Sequence, residues 1–196
     1  MLATYHSHSL YCRAALFFCS SVDIRDAVLG NLDEGKSETY FAATHTDAAT
    51  GALTVVGAVH LKWGVRKDDT PGVITVHGTF SVVAVGTAYR ERGFGKYLIR
   101  SVESFLLSEA KRAAESAAEL AARSTQQAAA ERVRCESGAL VLDVRTELPP
   151  WYARQGYATV ETGLPFPYPE MLNEQYSNVT GMRILKVLSE DVAATA

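Results

Sequence analysis

No apolar run in the 196-residue chain reaches the roughly 18 residues that a membrane-crossing helix needs. That argues against a membrane partner. Cysteine is scarce: Cys12, Cys19 and Cys135 are three in number and form no C-x-x-C pair. An odd, unpatterned set excludes a disulfide framework and a structural zinc site, and points to a reducing, cytoplasmic setting. An excess of basic charge is missing too, with 19 Lys and Arg against 22 Asp and Glu and a net charge of −3. A broad phosphate-binding face for nucleic acid is thereby excluded, although a local basic cluster is not. Arg13 is the only basic residue ahead of the short apolar stretch at 14–19, AALFFC. The charged start of a signal peptide is absent, and an amphipathic helix is expected there. His6 and His8 have no cysteine or carboxylate close by, so they read as part of a tail, and no metal site is expected.

What is present is an ordinary globular composition, 47% hydrophobic and 21% charged, enough for one domain over residues 1–196. Residues 38–46, Leu53–Trp63 and Val73–Val85 are rich in β-branched and aromatic residues. Separated by DAATG and RKDDTPG turns, they predict three consecutive antiparallel strands. The period then changes. Phe94, Tyr97, Leu98, Val102, Phe105 and Leu106 share a helical face. No proline falls between Pro71 and Pro149, and the alanine-rich tract at 110–134 has high helix propensity. An unbroken helix from Phe94 to Arg134 would reach about 60 Å, so either a break near Ser124–Thr125 or a projecting arm is expected, with 110–134 a solvated helical insertion. Ala139–Val144 predicts a buried strand. Leu148–Arg154 predicts a short helix with Pro149 and Pro150 in its first turn and Gly156 as its left-handed cap. Tyr157–Thr162 and Met182–Leu188 predict the last strands.

The chemistry concentrates in Val83-Ala84-Val85, followed by Gly86 to Tyr89 and then Arg90-Glu91-Arg92-Gly93-Phe94-Gly95-Lys96. A strand ends, a turn follows, and a helix opens at two glycines. Unpaired N–H groups and the helix dipole favour an anion at such a terminus. Gly93 and Gly95 let the anion approach the backbone, and Arg90, Arg92 and Lys96 add positive charge. The G-x-x-x-x-G-K-[ST] loop is absent. The dinucleotide fingerprint fails because Leu98 stands at its third glycine.

What remains, R-x-x-G-x-G over Arg90–Gly95, resembles the acyl-coenzyme A pyrophosphate loop of the GNAT acetyltransferases, and Val83-Ala84-Val85 resembles that family's preceding strand motif. A second stretch, Leu148-Pro149-Pro150-Trp151-Tyr152-Ala153-Arg154-Gln155-Gly156-Tyr157, resembles the family's later Y-x-x-x-G-[FY] motif. The two occur in family order, and the likeness covers residues 38–188, closest to small members of unassigned substrate. It implies an α/β fold of three layers: a twisted mixed sheet, splayed between the fourth and fifth family strands, with helices on both faces. Acetyl-coenzyme A would be the co-substrate, its pantetheine arm pairing with the backbone of Val83 and Val85. An acetyl group would pass directly to a primary amine, from a small molecule or a peptide. Tyr152 matches the family's general acid, and the blander account is a packing tyrosine.

The base stays unassigned. Val73–Val85 contains no carboxylate, where many family members carry a glutamate. His77, Asp143, Glu147 or a water relay are the alternatives. The chain departs from the family elsewhere. Only about thirty-five residues precede the first clear strand, short for the family's opening elements. The family's first strand is either missing or formed near Tyr5–Arg13. Arg145-Thr146-Glu147 stands where an asparagine is common. Two rival functions are a catalytically silent acyl-coenzyme A binding module and a protein N-terminal or lysine acetyltransferase, with Tyr168 lining a peptide groove. The sequence leaves room for a homodimer.

Overall fold

The computed structural model describes residues 3–4, 37–68, 70–123, 132–142, 148–165 and 180–192. Seven strands form one sheet: β1 (Ala3–Thr4), β2 (Ser37–Thr46), β3 (Leu53–Lys67), β4 (Val73–Val85), β5 (Arg132–Leu142), β6 (Ala158–Pro165) and β7 (Thr180–Ser189). Their spatial order is β1-β2-β3-β4-β5-β7-β6. Neighbours are antiparallel except β4 and β5, which are parallel. A parallel pair needs a crossover, and α1 (Phe94–Arg123) lies on that crossover. The second described helix, α2 (Leu148–Ala153), follows β5. The fold is thus the expected mixed α/β arrangement.

β2 and β4 lie where the β-branched and aromatic runs put them. β1, at Ala3–Thr4, pairs with Ala42 and Phe41 of β2, and the stretch expected to supply an opening strand, Tyr5–Arg13, lies outside the described residues. β5 begins at Arg132 rather than at Ala139, because Val133 and Cys135 alternate inward as fully buried residues. The alanine-rich tract therefore divides. Its first part continues the buried stripe of α1 through Ala110, Ala114 and Ala117, and its last residues belong to β5. α1 ends at Arg123, and the expected break at Ser124–Thr125 lies outside the described residues. Arg112 and Arg123 reach back to Glu109 and Glu119 along its outer side.

Strand alternation decides which face α1 covers. Leu61 and Val59 of β3, Gly78 and Phe80 of β4, and Cys135 and Ala139 of β5 lie on the face against Leu98, Val102 and Leu106. Gly78 has no alternative residue at this contact: a Cβ there would stand 2.6 Å from Leu106 Cδ1 and 2.9 Å from Leu61 Cδ1. Both described helices pack on this one face, and the expectation of helices on the other face falls on residues outside the described ones. His60, Ala58 and Thr75 are buried on that second face. Among the described residues, no helix is long and apolar enough to cross a membrane.

Gly78→Ala should overpack this seam and cost about 1–3 kcal/mol, and Leu106→Ala should cost about 2–5 kcal/mol through its cavity. Because the alanine at 78 grows into the space that Leu106 vacates, the double variant should be more stable than the summed losses, measured by urea unfolding. Strict additivity would show that the two positions do not share this space.

Candidate functional site

The site originates in the parting of two strands. β4 and β5 pair from Val73↔Arg132 as far as Phe80↔Ala139 and no further. Beyond that point β4 stays with β3, with Val83 opposite Val59, Ala84 opposite Ala58 and Val85 opposite Gly57. β5 stays with β7 to Leu142↔Gly181. A bulge marks the parting: His60 faces Val82 and Leu61 faces Phe80, which leaves Ser81 as the extra residue. An extra residue bends its strand and increases its twist. The backbone edge of Val83-Ala84-Val85 that faces β5 is therefore released from the ladder, as the family likeness implies.

At the top of that edge the chain turns through a 3₁₀ segment, Thr87–Tyr89, into α1. Gly86 N donates to Val56 O (2.9 Å) and Tyr89 N to Gly86 O (2.8 Å). Glu91 and Gly93 then take left-handed conformations, with φ of 62° and 84°. Such alternation turns successive N–H groups toward a common concavity. The first helical bond runs from Tyr97 N to Gly93 O (3.0 Å), so the N–H groups of Phe94, Gly95 and Lys96 precede it, the position at which a helix start can accept an anion. The two glycines do different work. A Cβ on Gly93 would meet nothing within 4 Å, so that residue is needed for its backbone angle. A Cβ on Gly95 would lie 3.4 Å from Trp151 Cζ2, so α2 packs directly against the opening turn of α1. The cations also divide. Arg90 Nε donates to Val85 O (3.4 Å), the Arg92 guanidinium lies 5.7 Å from the Tyr89 ring centre, and Lys96 is exposed. Arg92, Gly93 and Phe94 line a cavity of about 410 Å³ with Ala43, Thr44 and Tyr97, on the β2 side of the helix start.

Tyr152 approaches the parting point from α2. Its ring centre lies 5.8 Å from that of Phe80, the last β4 residue paired to β5. It also packs against Trp151 (4.8 Å) and Tyr157 (6.0 Å). Tyr152 is 8% exposed. Burial pushes its phenol up to about 12, which keeps it protonated and able to donate. Tyr157 is raised further, first by burial. The cap of α2 is a Schellman motif. Tyr157 N donates to Tyr152 O (3.1 Å) and Gly156 N to Ala153 O (2.9 Å), around Gly156 at φ 90°.

His77 is not brought to this place. It alternates to the face opposite α1, in register with Glu136, whose carboxylate pairs with Arg66 (3.3 Å) and Arg134 (3.9 Å). Asp143, Glu147 and Tyr168 lie outside the described residues. Cys135 is fully buried and its thiol is pushed up to about 12 by burial, which removes it as a nucleophile. Among the described residues, no group of three or more His, Cys, Asp and Glu is arranged to hold a metal ion.

Solved structures share this fold. Arabidopsis thaliana NAA60 in complex with acetyl-CoA superimposes with a TM-score of 0.57 at 15% identity, over 95% of this chain and 97% of that one. Arabidopsis thaliana Naa50 in complex with the bisubstrate analogue CoA-Ac-MVNAL gives 0.51 at 14% identity, over 95% and 97%. A protein assigned to the GNAT family from Desulfovibrio desulfuricans gives 0.51 at 14% identity, over 96% and 99%. The chain has the GNAT acetyltransferase fold. No protein-family model matches it, and no curated protein sequence does.

Within that fold the sequence motifs converge: Val83, Ala84 and Val85 form one wall of the opening, Arg90 to Lys96 form its upper end, and Tyr152 stands at its apex. Sequence reasoning missed two features. Trp151 was quoted in the motif, but its seat on Gly95 had no signal. Glu103 and Lys186, which anchor α2 from beneath, belong to no motif.

The glycines can be separated by experiment. Gly93→Ala should cost about 1–2 kcal/mol through left-handed strain. Gly95→Ala should hold or gain stability by up to about 1 kcal/mol, because its methyl reaches only contact distance and alanine favours a helix. Thermal unfolding of the pair decides this, and equal losses would deny the division of roles.

Alkali tests the buried phenol. Tyr152 holds its proton in the folded state up to about 12, whereas an unfolded phenol ionises near about 10. The resulting stability is complete below the unfolded value and is lost as pH rises through that interval. Tyr152→Phe should lose less stability over the same interval, followed by denaturant unfolding. An unchanged alkaline slope would show that Tyr152 ionises normally.

Proposed function

We propose that this protein is an N-acetyltransferase that moves an acetyl group from acetyl-CoA to a primary amine in a ternary complex. One observation carries the reading: the released backbone edge of Val83–Val85 leads from a left-handed anion-binding turn to a buried, protonated tyrosine. Few other reactions need all three. The N–H groups of Phe94, Gly95 and Lys96 bind the pyrophosphate, and the side chains of Arg90, Arg92 and Lys96 add Coulombic attraction. Glu91 supports the turn through its backbone. Val83 and Val85 pair with the amide-bearing arm as a missing neighbour strand would, and a β4 N–H polarises the thioester carbonyl. Complexes of structural neighbours with acetyl-CoA and with CoA-Ac-MVNAL support this co-substrate.

A thioester supplies an activated acyl carbon. The neutral amine attacks it, the C–N bond forms and the C–S bond breaks, giving amide and thiol. The amine proton leaves to a base or to water. Tyr152 donates its phenolic proton to the departing sulfur and recovers one from solvent. A phenol near 12 is a weak donor to a thiolate of about 8.5, but the same desolvation raises the thiol and narrows the gap. Proton transfer therefore accompanies C–S cleavage and does not precede it. The peptide portion of CoA-Ac-MVNAL in the Naa50 complex favours a second reading, in which the acceptor is the α-amine of a peptide.

Acetyl-CoA at millimolar concentration should raise the melting temperature, and Gly93→Asp should abolish the rise by placing a carboxylate at the pyrophosphate. No shift with folded protein would overturn the cofactor assignment. A panel of small amines and peptides, read by release of free coenzyme A, then separates the acceptors, and binding without turnover on any amine would indicate a silent acyl-CoA module.

Tyr152→Phe keeps the ring and should leave acetyl-CoA affinity nearly unchanged. It should lower kcat and kcat/KM together by about 100- to 10,000-fold. Full kcat under chemistry-limited conditions would reduce Tyr152 to a packing residue and pass protonation of sulfur to water.

A further inference from the structure

α2 is six residues long, far too short to hold its own orientation. Its direction has to come from its contacts: Trp151 rests on Gly95 and Tyr152 on Phe80, and the turn that closes α2 is held by one partly buried cluster. Lys186 of β7 donates to Glu103 Oε1 of α1 (2.9 Å) and to the carbonyl of Gln155 (2.9 Å), in the turn that closes α2. Tyr157 Oη donates to the same Glu103 Oε1 (3.1 Å) and contacts Ser137 Oγ of β5 at 3.0 Å. The Tyr157 hydroxyl has one proton, and a carboxylate only accepts. Ser137 is therefore the donor in the last contact, and the chain of bonds runs Ser137 to Tyr157 to Glu103, with Lys186 opposite. The Lys186 and Glu103 side chains are 27% and 15% exposed, and the ammonium also lies 5.7 Å from the Tyr157 ring centre. Gly156 makes room for it, since a Cβ there would stand 3.3 Å from Lys186 Cε.

The cluster connects to Tyr152 by a short path. Tyr157 N and Gln155 N both donate to the carbonyl of Tyr152, at 3.1 and 2.9 Å, and the rings of residues 152 and 157 are 6.0 Å apart. Fixing Gln155 and Tyr157 therefore fixes the backbone and ring of Tyr152.

We propose that Glu103 and Lys186 are positioning residues, which set the orientation of Tyr152 across the parting of β4 and β5 by clamping the cap of α2. This rests on the reading of Tyr152 as the donor to sulfur. Both residues act through Gln155 and Tyr157, and neither lies in a motif. Removing one charge would leave the other partly buried and unpaired, which destabilises by itself. The informative variant is therefore the double, Glu103→Gln with Lys186→Met, with Lys186→Arg as a conservative control that keeps the charge.

The double variant should lower kcat by about 10- to 100-fold, the scale of a misplaced catalytic group, with KM for acetyl-CoA within about twofold. Lys186→Arg should recover most of that loss. In a Tyr152→Phe background the double variant should cost nothing further, because there is no proton left to position. An equal loss in both backgrounds would overturn the proposal. A second measurement needs no turnover: fluorotyrosine introduced at position 152 should give one fluorine NMR resonance in the parent chain, and a shifted or split resonance in the double variant. An unchanged resonance in folded protein would also overturn the proposal. This second result stands even if Tyr152→Phe keeps full kcat, so failure of the clamp and failure of the donor assignment are distinguished.

Discussion

Everything functional in this chain depends on two parallel strands ceasing to pair. A buried backbone edge without partners is costly, and most sheets avoid one. Here β4 and β5 run together for eight residues, Val73–Phe80 against Arg132–Ala139, and then separate at the bulge that sets Ser81 outside the β3 ladder. Phe80, Tyr152 and Tyr157 fill the apex of the separation. The three rings pack together where the pairing of β4 and β5 ends. The left-handed turn at Glu91 and Gly93 lies at the open end of the same edge. On the proposed reading, one geometric decision thus aligns an amide-binding wall, a phosphate-binding turn and a proton donor.

The parts of this arrangement that are local were legible in the residues. The β-branched and aromatic run over Val73–Val85 marked β4, and the glycines at 93 and 95 marked the turn. Gly156 marked the end of α2, and its cap took the predicted left-handed form. The parts that failed were those decided at a distance. β5 began earlier than its apolar run suggested, because Arg132, Arg134 and Glu136 alternate with buried residues and hide the strand among charges. The alanine tract read as solvated, since composition does not reveal which alanines face a sheet. Ala110 and Ala114 do, and their small size lets α1 lie close over the strands.

Pairing across the sequence was invisible for the same reason. Glu103 and Lys186 are separated by eighty-three residues, and no local pattern connects them. Gly95 shows how one residue type can conceal two causes. In the sequence it matched a phosphate-loop glycine. In the structure it also faces Trp151, which a Cβ would only just touch at 3.4 Å, so the opening turn of α1 and the tyrosine helix pack against each other.

The burial of Tyr152 has a kinetic corollary. A group whose proton leaves only near 12 has the same charge at every pH where an amine substrate is usually assayed. It therefore contributes no inflection to a pH–rate profile below about 10, where an unperturbed phenol would begin to titrate. The customary bell collapses to a single ascending limb, which belongs to the amine or to whatever accepts its proton. On the proposed mechanism, the shape of that limb reports on whatever takes the amine proton, separately from Tyr152, without any substitution in the chain.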